Sequence, residues 1–333
     1  MTAVGLVLVG LLTGVWTATW GGFKDSPFEG YRLRSALRTV LLAVALAIAL
    51  ALSGIAVAPA FLVAVGLCVT AERLCTEWWK TIVREDPQDA YSIPMRLAVR
   101  GRPVDSRPRR YAVGAAVVVL LVLGAAAVTT GQRLLGPTPW WLGVLVGSTG
   151  GWLTAVGGAW KDAPIEGFSG WKFLRSPSVA TAWVIVLLPF TDSWLVLAVA
   201  GGGWSVATIE TYKTFLTGGR PPGKFDGKPV RFTPALQRTW CHLAHAACWG
   251  VTGVTAALLL PVGLPVVDWS AESRSLALVL VVCVSLCALV LTAGVPSATV
   301  ETTATDSRVG SRPRRTMRHD LLRRASTRAR LSP

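Results

Sequence analysis

Hydrophobic and polar positions gather into long alternating blocks along this chain. Apolar runs long enough to cross a bilayer, roughly 17–25 residues, fall at about 3–22, 37–57, 59–79, 111–130, 139–159, 177–191, 193–212, 239–260 and 275–295. The run at 177–191 is short, and the stretch from 37 to 79 can be divided in more than one way. Polar connections without a hydrophilic domain separate the runs. The pattern predicts an all-α polytopic membrane bundle of about nine transmembrane helices with a polar tail.

A second, longer period lies over the first. Phe23-Lys24-Asp25-Ser26-Pro27-Phe28-Glu29-Gly30-Tyr31 returns as Trp160-Lys161-Asp162-Ala163-Pro164-Ile165-Glu166-Gly167-Phe168. An Arg34-Ser35 pair returns as Arg175-Ser176, Glu77-Trp78-Trp79-Lys80-Thr81 as Glu210-Thr211-Tyr212-Lys213-Thr214, and Gly101-Arg102-Pro103-Val104 as Gly227-Lys228-Pro229-Val230. The order is kept while the offsets drift through 137, 141, 133 and 126 residues. The expected organisation is therefore two parallel four-span repeats, 1–130 and 131–262, an extra span within 263–300, and a basic, disordered tail over 301–333. An even number of spans per unit makes the repeats parallel, related by an axis along the membrane normal. Paired glycines (Gly21-Gly22, Gly150-Gly151, Gly157-Gly158, Gly201-Gly202-Gly203) mark expected close helix approaches.

Composition sharpens this picture. Hydrophobic residues make up 52% and charged residues 15% of the 333, well below the roughly one quarter charged of a soluble domain. Of the 33 Lys and Arg, only Arg133 and Arg274 fall in loops of one parity. The positive-inside rule puts the other loops in the cytoplasm, with the N-terminus outside and the C-terminus inside a plasma membrane. Anionic headgroups account for the net charge of +15, so nucleic acid is not needed as a partner. The six cysteines lie in apolar runs without a CxxC pair and read as small packing residues. His242 and His245 lack a neighbouring carboxylate and read as packed.

The candidate chemistry sits in the repeated elements. Ser26, Pro27 and Glu29 form a sequence-level capping box, but Ala163 replaces the serine in the second copy. What both copies keep is Lys, Asp, Pro, Glu and Gly. Asp25, Glu29, Asp162 and Glu166 are candidate acid and metal-ligand residues, and Mg²⁺ is the cation that carboxylates and phosphate oxygens hold together. Glu77 and Glu210 are further acidic candidates at span ends, where ionisable groups are costly. Lys24, Lys161, Lys80, Lys213, Arg34, Arg175, Arg102 and Lys228 are candidate phosphate contacts. The lysines stand out because the chain has 26 Arg and 7 Lys, and four of the seven occupy duplicated positions. A compact ammonium is wanted there, not simply positive charge.

Three functional readings follow. One is a membrane-embedded protein binding and processing a phosphorylated lipid or prenyl diphosphate with a divalent cation. In layout this resembles the UbiA-like prenyltransferases, which also have about nine spans and an acidic motif in each half. The Asp-rich signatures of that family are not present, since each element here has one Asp and one Glu separated by Pro. The second reading is a transporter or flippase of an anion or anionic lipid. The third is a noncatalytic scaffold, in which Lys80 and Lys213 would each pair with their own glutamate and face lipid or solvent.

Overall fold

The computed structural model describes residues 3–259, apart from 54–59, 89–90, 92, 94, 100–101, 218–222, 226 and 234. The expected ninth span, the basic tail, Cys283 and Cys287 lie outside the described residues. The helices are α1 (Ala3–Lys24), α2 (Ser26–Glu29), α3 (Leu33–Leu52), α4 (Phe61–Trp78), α5 (Arg107–Leu135), α6 (Trp140–Gly147), α7 (Thr149–Glu166), α8 (Gly170–Leu187), α9 (Trp194–Phe215) and α10 (Ala235–Leu259). A π-helical turn, Trp79–Val83, prolongs α4. A minimal antiparallel hairpin, β1 (Ala98–Val99) and β2 (Arg102–Pro103), precedes α5.

Among the described residues, six helical segments are long and apolar enough to span a bilayer: α1, α3, α5, the α6–α7 pair, α8 and α10. This makes the protein an all-α membrane bundle. Two of the spans leave most of their apolar window unburied. Only 6% of the apolar window of α5 and 11% of that of α3 is buried, and Val118, Leu120 and Leu123 stand exposed along α5. Such surfaces are tolerable only in lipid, where the backbone is satisfied within each helix.

α4 and α9 fall short of the spanning criterion because they occupy the interior and carry the charges and small residues that the interior needs. Thr70 Oγ1 donates to Val199 O at 2.7 Å, and the Trp204 indole donates to Leu62 O at 2.8 Å. A Cβ on Gly66 would come within 2.6 Å of Ala200 O, and one on Gly203 would collide with Gly66 O. Without a side chain at either position the two backbones approach closely, which is how small residues hold membrane helices together.

The same device seats the outer helices. Gly10 and Gly14 of α1 admit α3, with Val40 Cα 2.6 Å from a Cβ built on Gly14. Gly147 and Gly151 admit α8, with Pro177 Cα 2.6 Å from a Cβ on Gly151. Gly157 and Gly158, by contrast, face open space, so their pairing in sequence does not mark a helix contact.

The apolar core runs from Trp16 and Trp20 through Val63 and Leu67 to Leu187 and Leu197. Trp16, Trp204 and Trp249 are fully buried in it, with edge-to-face contacts of 5.8 and 4.7 Å from Trp16. His245 is packed here as well. Its Nδ1 lies 3.0 Å from Thr19 Oγ1, its Nε2 3.0 Å from Thr211 Oγ1, and Phe215 stacks on the ring.

Eight of the nine expected windows fall on helices, with shifted edges. The short window at 177–191 belongs to a longer helix, since Ser169 Oγ accepts from Lys172 N and starts α8 at Gly170. The window at 139–159 is jogged at Ser148, between α6 and α7.

Candidate functional site

The repeated elements come together at one end of the bundle. Their local geometry differs from the capping box expected at Ser26. Asp25 occupies the cap position without a side-chain hydrogen bond, and Ser26 Oγ is buried without a partner. In the second copy α7 simply continues through Pro164 to Glu166. Both copies end alike, because Gly30 at φ 78° and Gly167 at φ 83° take the left-handed backbone that terminates a helix. That explains the glycine in each element.

Beyond these turns lies a cavity of about 1100 Å³. Eleven of the fourteen candidate residues line it: Lys24, Asp25, Glu29 and Glu77; Lys80, Lys161, Asp162 and Glu166; Arg175, Glu210 and Lys213. Arg34, Arg102 and Lys228 do not. All three are exposed, Arg34 at the start of α3, Arg102 in β2 and Lys228 in the loop before α10.

The ion pairs across this cavity are crossed. Lys24 Nζ of the first element donates to Glu210 Oε2 of α9 at 2.6 Å. Lys161 Nζ of the second element donates to Glu77 Oε2 of α4 at 2.8 Å. Each glutamate also meets the lysine one turn on in its own helix, Lys80 at 3.4 Å from Glu77 and Lys213 at 3.7 Å from Glu210. These local pairs are the ones expected of a scaffold, yet both lysines face the cavity, not lipid. Arg73 adds a contact to Glu77 Oε1 at 2.6 Å, and Lys172 takes Glu166 at 3.0 Å.

Twelve Lys and Arg line the cavity against nine Asp and Glu, which leaves its walls with an excess of positive charge. The lysine usage is the sharper signal. Among the described residues, six of the seven lysines line the cavity, whereas six of the 14 arginines do. Lys172 and Lys224 escaped the motif comparison because they have no matched copies, but lysine scarcity alone would have found them. Arg73, Arg84 and Glu72 carried no such signal.

Burial shapes the charges at the rim. It pushes the Lys80 ammonium down to about 8 against the opposing pull of Glu77, and lowers that of Lys224. The Glu29 carboxyl is raised, by burial first and then by its neighbour Asp25. An anion held by Lys80 and Lys224 loses those charges as the pH climbs. We therefore expect the affinity of purified protein for inorganic pyrophosphate, measured calorimetrically, to fall between pH 7 and 9. Lys80→Arg, which stays charged, should flatten that fall.

Two carboxylate oxygens are buried without a hydrogen-bond partner, Asp25 Oδ1 and Glu72 Oε2. Such an acceptor costs about 1–3 kcal/mol when unmet, and a bound ligand or water is the natural relief. Glu72 is fully buried, with its Oε1 accepting from Thr76. Among the described residues, however, no three His, Cys, Asp or Glu side chains gather as a metal cluster. Asp25, Glu29, Asp162 and Glu166 share the cavity but do not form one cradle.

Two further arginines near this end of the bundle are structural. Arg110 is fully buried and donates to the carbonyls of Ile82, Val104 and Asp105 while pairing with Glu85. It clamps the π-turn to the loop before α5. Arg238 lies over the Phe23 ring at 4.2 Å. Compared with known protein families, characterised proteins and solved structures, the chain matches none.

Proposed function

We propose that this cavity binds a phosphorylated group, the head of a lipid or prenyl diphosphate, at the cytoplasmic leaflet of the plasma membrane. The observation that carries the reading is the convergence of six of seven lysines on one cavity. Compact ammonium groups suit phosphate oxygens as point charges. The orientation follows from the basic loops, all but two of whose cations share the parity of this end of the bundle.

The duplication belongs to the same proposal. Gly10 and Gly14 against Val40 and Ala43, and Gly147 and Gly151 against Pro177, Ala180 and Val184, are matching contacts set 137 residues apart. The crossed pairs Lys24–Glu210 and Lys161–Glu77 exchange equivalent partners between halves. Both support two parallel repeats about a pseudo-twofold axis, with the ninth span as an addition. A site on such an axis receives one charged tip from each half.

The carboxylates act mainly as counter-ions that keep the lysines charged and extended while the site is empty. Mg²⁺ would be held by phosphate oxygens and Asp25, whose buried Oδ1 is open, since this cation is usually bound through one or two carboxylates and substrate phosphates. It would supply neutralisation of phosphate charge for a transfer or cleavage step. A flippase reading shares the head site and differs in what happens next.

The test compares single substitutions in nanodiscs of neutral lipid, with inorganic pyrophosphate as the probe. Lys161→Ala should weaken binding about tenfold or more, as expected for loss of one charge-assisted contact of about 1.5–3 kcal/mol. Arg34→Ala, Arg102→Ala and Lys228→Ala should stay within about twofold, because exposed charges contribute little. Equal losses at all four positions would mean a diffuse surface charge and sink the proposal.

A further inference from the structure

Next to the charged cavity lies a second, smaller space of about 390 Å³. α1 forms its floor through Val15 and Ala18, while Leu37 and Val40 of α3 and Trp240 and Ala244 of α10 form its sides. The two spaces adjoin, with Ala18, Tyr31 and Ala36 lining both. Between them α1 packs closely on its neighbours: a Cβ on Gly22 would meet Cys241 Sγ at 2.6 Å and the Tyr31 ring at 3.3 Å. The outer rim opens on surfaces that face lipid, with Leu37 52% and Trp240 64% exposed.

We infer that this groove takes the hydrocarbon chain of the ligand whose phosphate sits among the lysines. The inference rests on the head-group reading and adds a substrate class, a single-chain or prenyl-type phosphorylated amphiphile bound sideways from the bilayer. Three features lead to it. The groove walls are mostly apolar, the groove adjoins the cationic cavity across Ala18, Tyr31 and Ala36, and its far end lies at the lipid boundary. A polar phosphate and an apolar tail therefore find matching surfaces in sequence, with Tyr31 marking the change from one to the other. The groove by itself, at about 390 Å³, lies within the roughly 300–1,000 Å³ of ordinary ligand pockets. A soluble anion would need the cavity alone.

Two measurements test it. The first compares methyl phosphate and dodecyl phosphate binding to wild type, Ala244→Phe and Leu243→Ala in nanodiscs. Filling the groove with Ala244→Phe should cost dodecyl phosphate about tenfold, as overpacking of about 1–3 kcal/mol implies, and leave methyl phosphate unchanged. Leu243→Ala, on an exposed part of α10 outside the groove lining, should retain both. The second is photolabelling of wild-type protein by a phospholipid with a diazirine near the tail end, with labels expected on Leu37, Val40 or Ala244. Methyl phosphate binding with no chain discrimination in Ala244→Phe, or labels confined to other helices, overturns the inference while leaving the head site standing. Failure of both phosphates to bind wild type overturns the head-group reading itself. Labelling excluded from the groove by residues of the chain beyond Leu259 counts against the inference equally.

Discussion

Gly203→Leu is expected to abolish the folded bundle, and Gly203→Ala to damage it. A methyl at this position is driven into the carbonyl of Gly66, with Thr70 Oγ1 only 2.7 Å away on the same side. Neither obstacle is the loose end of a flexible side chain, so α4 and α9 must separate. Separation breaks the Thr70–Val199 and Trp204–Leu62 hydrogen bonds and leaves buried polar groups unmet in an apolar interior. Overpacking typically costs about 1–3 kcal/mol, to which each orphaned group adds about 1–3 kcal/mol. Thermal unfolding in detergent should show Gly203→Ala well below wild type and Gly203→Leu without a cooperative transition. Gly157→Ala is the matched control. Nothing lies within 4 Å of its Cβ, and removing a helical glycine gains up to about 1 kcal/mol. A Gly203→Ala variant as stable as Gly157→Ala would show that the helices do not cross where described.

That contrast also shows how far the sequence could be read. The apolar blocks placed eight helices because bilayer thickness imposes a length that needs no partner. The repeated elements together led to eleven cavity residues because charge at a span end is costly enough to be retained only for a reason. Which helix lies inside was not legible, since α4 and α9 look less apolar than the lipid-facing α5. In a membrane the interior holds the polar atoms and the surface is greasy. Glycine pairs were equally silent, as Gly150-Gly151 and Gly157-Gly158 have identical composition and opposite surroundings. The crossed partnership of Lys24 with Glu210 was hidden for a different reason. Sequence offered each glutamate a lysine three residues on, and the longer-range pair depends on how two helix ends meet.

The crossed pairs yield the most diagnostic prediction. Removing a glutamate and removing its lysine should move ligand affinity in opposite directions. Glu210→Ala frees Lys24 and Lys213, the first with a side chain only 12% exposed, and strands positive charge in a poorly solvated place. Breaking a buried pair from one side costs about 3–5 kcal/mol, so the empty protein should unfold at markedly lower temperature. An anion can then stand in for the missing carboxylate. Pyrophosphate should bind this variant more tightly than wild type and restore much of its stability, following the linkage in which a ligand specific to the folded state stabilises by RT ln(1 + [L]/Kd). Lys24→Ala does the reverse: it leaves Glu210 facing the cavity, repels the anion, and should gain little from added pyrophosphate. The same opposition is expected of Glu77→Ala and Lys161→Ala, which test the other half of the site. If instead Glu210→Ala and Glu77→Ala destroy pyrophosphate binding as completely as the lysine variants do, the carboxylates are ligand-binding groups. A cation bridge between acid and phosphate would then replace the counter-ion role assigned to them.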